Sequence, residues 1–133
     1  MSKAPAEDRR LVRLTKICLA LPETNMYRHG QHAGFQVRKK KFAYFLNNHH
    51  GDGIVSVTAK VIRGDNTALV AANHARFYLP AYLGSSGWVA LRLDIGEIDW
   101  DEVAELVVGS YSLLAPKSLA ARVHPQNPAT SRS

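Results

Sequence analysis

Apolar residues recur along this chain at two different periods, and their alternation with polar positions predicts a series of elements. Leu11, Leu14, Cys18 and Leu21 return at steps of three and four, with Arg9, Arg10, Arg13 and Lys16 mostly elsewhere around the same turns. Residues 5–21 therefore read as an amphipathic helix, opened by Pro5 in its first turn, with Glu7 and Asp8 at the positive end of its dipole, and ended by Pro22. The polar stretch Tyr27–Gly34 reads as a connecting loop. The period then falls to two. Phe35 and Val37 alternate with Gln36 and Arg38, and after Lys39 and Lys40 the aromatic-rich run Lys41–Leu46 completes a hairpin. Lys-Lys is a poor two-residue turn, so the pattern leaves the register of that hairpin open.

Asn47–Gly53 is loop-forming, and Ile54–Ala59 predicts a third strand with Val55 and Val57 on one face. Asp65 can cap a short helix over 66–72, with Asn73 as its stop, and a strand follows around Phe77–Leu79. The tight turn Gly84–Gly87 leads into the clearest strand, Trp88–Leu93, in which Val89, Leu91 and Leu93 share a face. The last helix carries a capping box, Asp99 with Glu102, and a hydrophobic staple, Ile98 with Val103. Trp100, Val103, Leu106, Val107, Tyr111 and Leu114 form its apolar stripe, and Pro116 ends it. The order α-β-β-β-α-β-β-α predicts a two-layer α+β fold, an antiparallel sheet of about five strands with the first and last helices on one face.

Composition changes this picture little. With 133 residues, 46% hydrophobic and 21% charged, the chain fits one globular domain over residues 1–123, followed by a Pro- and Ser-containing tail over 124–133 expected to be disordered. The single Cys18 excludes an internal disulfide and fits a reducing compartment. Arg9, Arg10, Arg13 and Lys16 break the apolar pattern of the first twenty residues and no apolar run approaches membrane-spanning length, so a cytoplasmic protein without membrane contact is expected.

Charge changes it more. Lys and Arg number 17 against 11 acids, and six of those acids fall between Asp94 and Glu105. Residues 1–93 hold 14 bases and 5 acids, a bias that would attract a polyanion, although a solvated surface accounts for it equally well. The acidic stretch itself is explained by the start of the last helix.

If the β-branched strand positions face the helices, alternation places Arg38, Lys60, Trp88 and Arg92 on the opposite face. Lys41 and Phe45 join them if Phe42, Tyr44 and Leu46 point to the core. With Lys39 and Lys40 at the hairpin tip, this surface mixes bases and aromatics, as nucleic-acid-binding surfaces do. Arg38, Lys39, Lys40, Lys41, Lys60, Trp88 and Arg92 are the candidate DNA contacts. The same face could instead serve a protein partner or a second copy as a homodimer, with Trp88 and Phe45 as anchors. His29, His32, His49 and His50 lack the Cys or acidic partners of a structural metal site, so neither metal nor cofactor is expected. Cys18 on an apolar stripe has no activating neighbour, and no residue is identifiable as a catalyst; a non-enzymatic protein is expected.

Several segments together resemble the MmcQ/YjbR-like family of small bacterial proteins. They are Cys18-Leu19-Ala20-Leu21-Pro22-Glu23-Thr24, Phe35 through Ala43, and Pro80-Ala81-Tyr82-Leu83-Gly84 with Gly87-Trp88-Val89. Asp99 through Val103, Ser110-Tyr111 and Ala115-Pro116-Lys117 extend the similarity, which runs over about residues 9–122. The resemblance implies an antiparallel sheet with helices on one side, similar to secretion chaperones and to a phage transcription factor's double-wing domain, and on that likeness DNA binding. It carries over no catalytic residue. Ser85 and Ser86 depart from the family pattern, which commonly places basic residues in the turn before Trp88, and this removes charge from one wing.

Overall fold

The computed structural model describes residues 8–48 and 51–123. The expected tail over 124–133, the Pro5 and Glu7 helix start and the His49-His50 pair lie outside them.

Helix α1 (Arg9–Leu19) begins where the Asp8 carboxylate accepts a hydrogen bond from the Arg10 amide, and it buries Leu11, Leu14 and Cys18 as its periodicity requires. Six strands follow: β1 (Thr24–His29), β2 (His32–Val37), β3 (Lys40–Asn47), β4 (Val55–Lys60), β5 (Phe77–Tyr78) and β6 (Trp88–Arg92). All neighbours are antiparallel, in the order β1-β2-β3-β4-β6-β5. Helix α2 (Asp65–Ala72) lies against β5 and β6, while α1 and α3 (Trp100–Leu114) pack on one face of the sheet and α4 (Lys117–Val123) packs on α3. The predicted α+β class is therefore correct, with one more strand and one more helix than the sequence pattern indicated.

The extra strand is β1. Its edge position needs no apolar alternation, so Thr24–His29 carries polar residues on both faces, and the stretch Tyr27–Gly34 expected as a connecting loop instead holds the end of β1 and the start of β2. Gly30 at φ 62° reverses the chain between β1 and β2. Helix α4 starts directly after Pro116, which ends α3 and whose fixed φ suits the opening of the next helix.

The hairpin register turns on one residue. Lys41 pairs with Gln36 but Ala43 pairs with Phe35, so Phe42 is an extra residue, a β-bulge. Phe42 and Ala43 are consequently both buried, and beyond them the parity of β3 is shifted. Phe45 joins the core row Ala33, Phe45, Val57, Leu91, Phe77, while Tyr44 and Leu46 take the opposite face with Lys41. The expectation that Phe45 would join the open face is thus overturned.

Helix α3 is clamped to the bulge. The Ser110 hydroxyl donates to the Phe42 carbonyl at 2.6 Å and accepts from the Lys60 amide at 3.0 Å. Next to it, the Tyr111 hydroxyl donates to the Pro22 carbonyl at 2.7 Å and its ring meets Phe42 edge-on. At the helix start Asp99 caps the Asp101 and Glu102 amides as predicted, but Glu102 leans towards Arg76 rather than returning the bond. Asp65 is the first residue of α2 rather than its cap, a position filled by Gly64 in the left-handed region.

Candidate nucleic-acid interface

The reversal between β2 and β3 is made by Arg38 and Lys39, at φ 49° and 74°. Two consecutive positive φ values give the turn geometry that follows the natural twist of a hairpin, and Asn-Gly supplies it at least cost. Here two long basic side chains adopt it, at an expense of roughly 1–3 kcal/mol per strained residue. The result is a protruding tip carrying Arg38, Lys39, Lys40 and Lys41 in succession.

These four bases are not equivalent. Arg38 forms a forked pair with Glu23, at 2.6 and 3.2 Å, and the guanidinium holds the Glu23 carboxyl below the usual range. Arg122 of α4 also acts on Glu23, which places a further base at this end of the molecule. Lys41 stands with its ammonium 5.3 Å from the centre of the Tyr27 ring. That ring lies across Gly34, where a Cβ would overlap it, so the glycine makes room for the aromatic. Lys39 and Lys40 are exposed and form no ion pair among the described residues.

The register separates the remaining candidates. Ala43 pairs with Ala59, and Lys60 pairs with Trp88, so Lys60 and Trp88 sit at the same end of the sheet as the hairpin tip. Arg92 pairs with Ser56 at the opposite end, and its guanidinium is held by Asp94 through two 3.0 Å bonds. Arg92 therefore does not belong to the surface made by the other bases. Trp88 is only 7% exposed, its ring 5.5 Å from Tyr44 and its carbonyl bonded by Asn66, so it cannot act as a stacking platform without rearrangement. The open face as a continuous basic and aromatic plane is corrected: Ser56, Thr58, Trp88 and Ala90 are all buried on it.

Two basic groups were not singled out by sequence reasoning. Arg63 follows β4 and shares a cleft of about 550 Å³ with Lys60, Asn66 and the Gly84–Gly87 turn. On α1, Arg9, Arg13 and Lys16 border a second cleft, with Arg13 5.2 Å from the Trp100 ring centre. The signal for Arg63 was its place directly after a strand, and that for α1 was the basic side of the helix wheel. Burial alone pushes the Cys18 thiol up, so it is not an activated nucleophile. No group of three or more potential metal ligands occurs among the described residues, and none of their helices is long and apolar enough to cross a membrane.

A two-layer α+β domain with helices on one side of an antiparallel sheet and a basic hairpin at one end of it is the class of protein defined here. The YjbR family profile matches residues 19–113, and the chain belongs to that family. The crystal structure of Deinococcus radiodurans protein DR2400, which carries a DUF419 domain, shares the fold at a TM-score of 0.64 and 20% identity over 91% of each chain. No functionally curated protein matches the sequence.

Proposed function

We propose that this protein is a non-catalytic DNA-binding protein that holds the phosphate backbone of duplex DNA through the basic end of its sheet. The observation that carries the reading is the Arg38-Lys39 turn, a strained reversal that presents consecutive bases where a smaller pair would reverse the chain more cheaply. Lys39 and Lys40 make the main contacts, Lys41 stands beside them over Tyr27, and Lys60 and Arg63 extend the surface across the sheet end. Arg38 contributes less, since Glu23 already offsets its charge. Contacts of this kind neutralise phosphates and position a duplex without reading its sequence. The protein-partner alternative loses both its proposed anchors, because Phe45 is fully buried and Trp88 nearly so.

Anisotropy of labelled random-sequence duplex DNA, titrated at several salt concentrations, tests this reading. Replacing Lys39, Lys40 and Lys41 together with Ala is expected to weaken binding about tenfold or more and to reduce the salt slope by about 2–3, close to one unit per lost phosphate contact. Arg92→Ala should leave both quantities unchanged. Equal binding by the triple variant and the parent chain would remove the hairpin as the contact surface.

A further inference from the structure

On the exposed face of the sheet, Tyr44, Leu46, Tyr78, Pro80 and Tyr82 wall a cavity of about 490 Å³, with Asp52 among its lining residues. Its chemistry is opposite to that of the hairpin. Three phenol rings and aliphatic carbons surround one carboxylate. Asp52 is exposed and forms no ion pair among the described residues, and it accepts a local hydrogen bond from the Ile54 amide at 2.9 Å. The neighbouring Arg92 is held through Nε and one Nη by Asp94, and its charge also acts on Asp52 and Tyr78. Lys41, the base acting on Tyr44, stands over the Tyr27 ring.

Tyr82 is the least economical residue of the group. It adopts φ 67°, a conformation that a bulky side chain rarely takes, and yet it leaves 88% of its surface in solvent. Packing within the chain therefore does not repay the strain. Tyr78, by contrast, is fixed by a 3.1 Å hydrogen bond between its hydroxyl and that of Ser56, and Tyr44 by its contact with Trp88. Two walls are rigid and the third stands open.

We propose that this cavity binds a small organic cation of the quaternary-ammonium type, its alkylated head against the faces of Tyr44, Tyr78 and Tyr82 and its charge towards Asp52. Aromatic faces attract cations through their quadrupoles, and a soft, weakly hydrated ammonium loses little on leaving water. The Asp52 carboxylate disfavours a polyanion and gives a cation an advantage over a neutral ligand of the same shape. The volume lies within the range of small-molecule sites and leaves space for a short apolar substituent beyond the head group. This site is independent of the DNA contact proposed above.

Choline and its uncharged carbon isostere, 3,3-dimethylbutan-1-ol, are the probes, titrated into the full chain while the ring resonances of Tyr44, Tyr78 and Tyr82 are followed by NMR. Choline is expected to shift all three and to bind about fivefold or more tightly than the isostere, the scale of a few exposed cation–π contacts. Asp52→Asn keeps a side-chain oxygen for the Ile54 amide and should bring choline down to the level of the isostere. Tyr82→Ala, at an exposed position, should weaken choline binding about fivefold without loss of folding. Equal affinity for the two probes, an unchanged affinity in Asp52→Asn, or no movement of the tyrosine resonances at tens of millimolar choline would each overturn the proposal.

Discussion

Thr58 occupies the middle of the exposed side of the sheet, between Tyr44 and Ala90 in register, and is itself fully buried. Its hydroxyl has no hydrogen-bond partner. A buried hydroxyl in that position has lost water and gained nothing, at a cost of about 1–3 kcal/mol. Valine has nearly the same shape and suits a strand. Thr58→Val is therefore expected to stabilise the fold by about 1 kcal/mol, read as a higher urea midpoint with an unchanged slope. A lower midpoint would show that the hydroxyl is bonded, for instance to an enclosed water. Cys18 illustrates the more readable kind of residue: its place on the apolar stripe of α1 already foretold an inert, buried thiol, and burial accounts for its raised pKa. Alternation with Val57 places Thr58 on the face opposite the core, but nothing in the sequence reveals that this face is covered at its centre.

Ser110 shows how one helix fixes two strands. The bulge at Phe42 removes that residue from the regular ladder, and Lys60 is the last residue of β4, so a carbonyl and an amide are left to find partners beneath α3. The Ser110 hydroxyl serves both. Ser110→Ala would leave two backbone groups unsatisfied in the interior and is expected to cost about 2–4 kcal/mol in chemical denaturation. A change below about 0.5 kcal/mol, the usual range of a surface substitution, would mean that the strands find other partners. The elements most legible in the sequence were those whose signal is local and redundant: α1, with its stripe, α3, with its cap, and β6, with its alternation. β1 was missed because an edge strand buries little and carries no period. The parity of β3 was left open because a bulge is a tertiary event, and Phe42-Ala43 matches either alternation until Lys41 is set against Gln36. The candidate site suffered from the same cause, since placing Arg38 and Arg92 on one surface required a strand register that periodicity does not supply.

Across the whole molecule the two ends of the sheet differ in how their charges are balanced. At the hairpin end Lys39, Lys40, Lys60 and Arg63 stand without acidic partners among the described residues, whereas at the other end Arg10 pairs with Asp8 at 2.8 Å and Arg92 with Asp94 at 3.0 Å. These two pairs are neighbours: Arg10 also reaches the Leu93 carbonyl at 3.5 Å and feels the Asp94 charge. Each arginine, mainly through its side-chain hydrogen bond, holds its carboxyl below the ordinary value of 3.8. A carboxyl that is more acidic in the folded state contributes stability above its unfolded pKa and loses it as pH falls through the folded one. Protonating both would also leave Arg10 and Arg92 close together without counter-charge. Stability is therefore expected to be level from pH 7 to about 5 and to fall below about pH 4. Because both pairs are partly exposed, each contributes on the order of 1 kcal/mol or less. Asp94→Asn should be less stable than the parent at pH 7 by that amount, and the two curves should converge as pH falls through the lowered folded pKa of Asp94. A gap between them that stays constant over the whole acid titration would show that Asp94 acts through packing rather than through its charge, and that the far end of the sheet does not depend on its ion pairs.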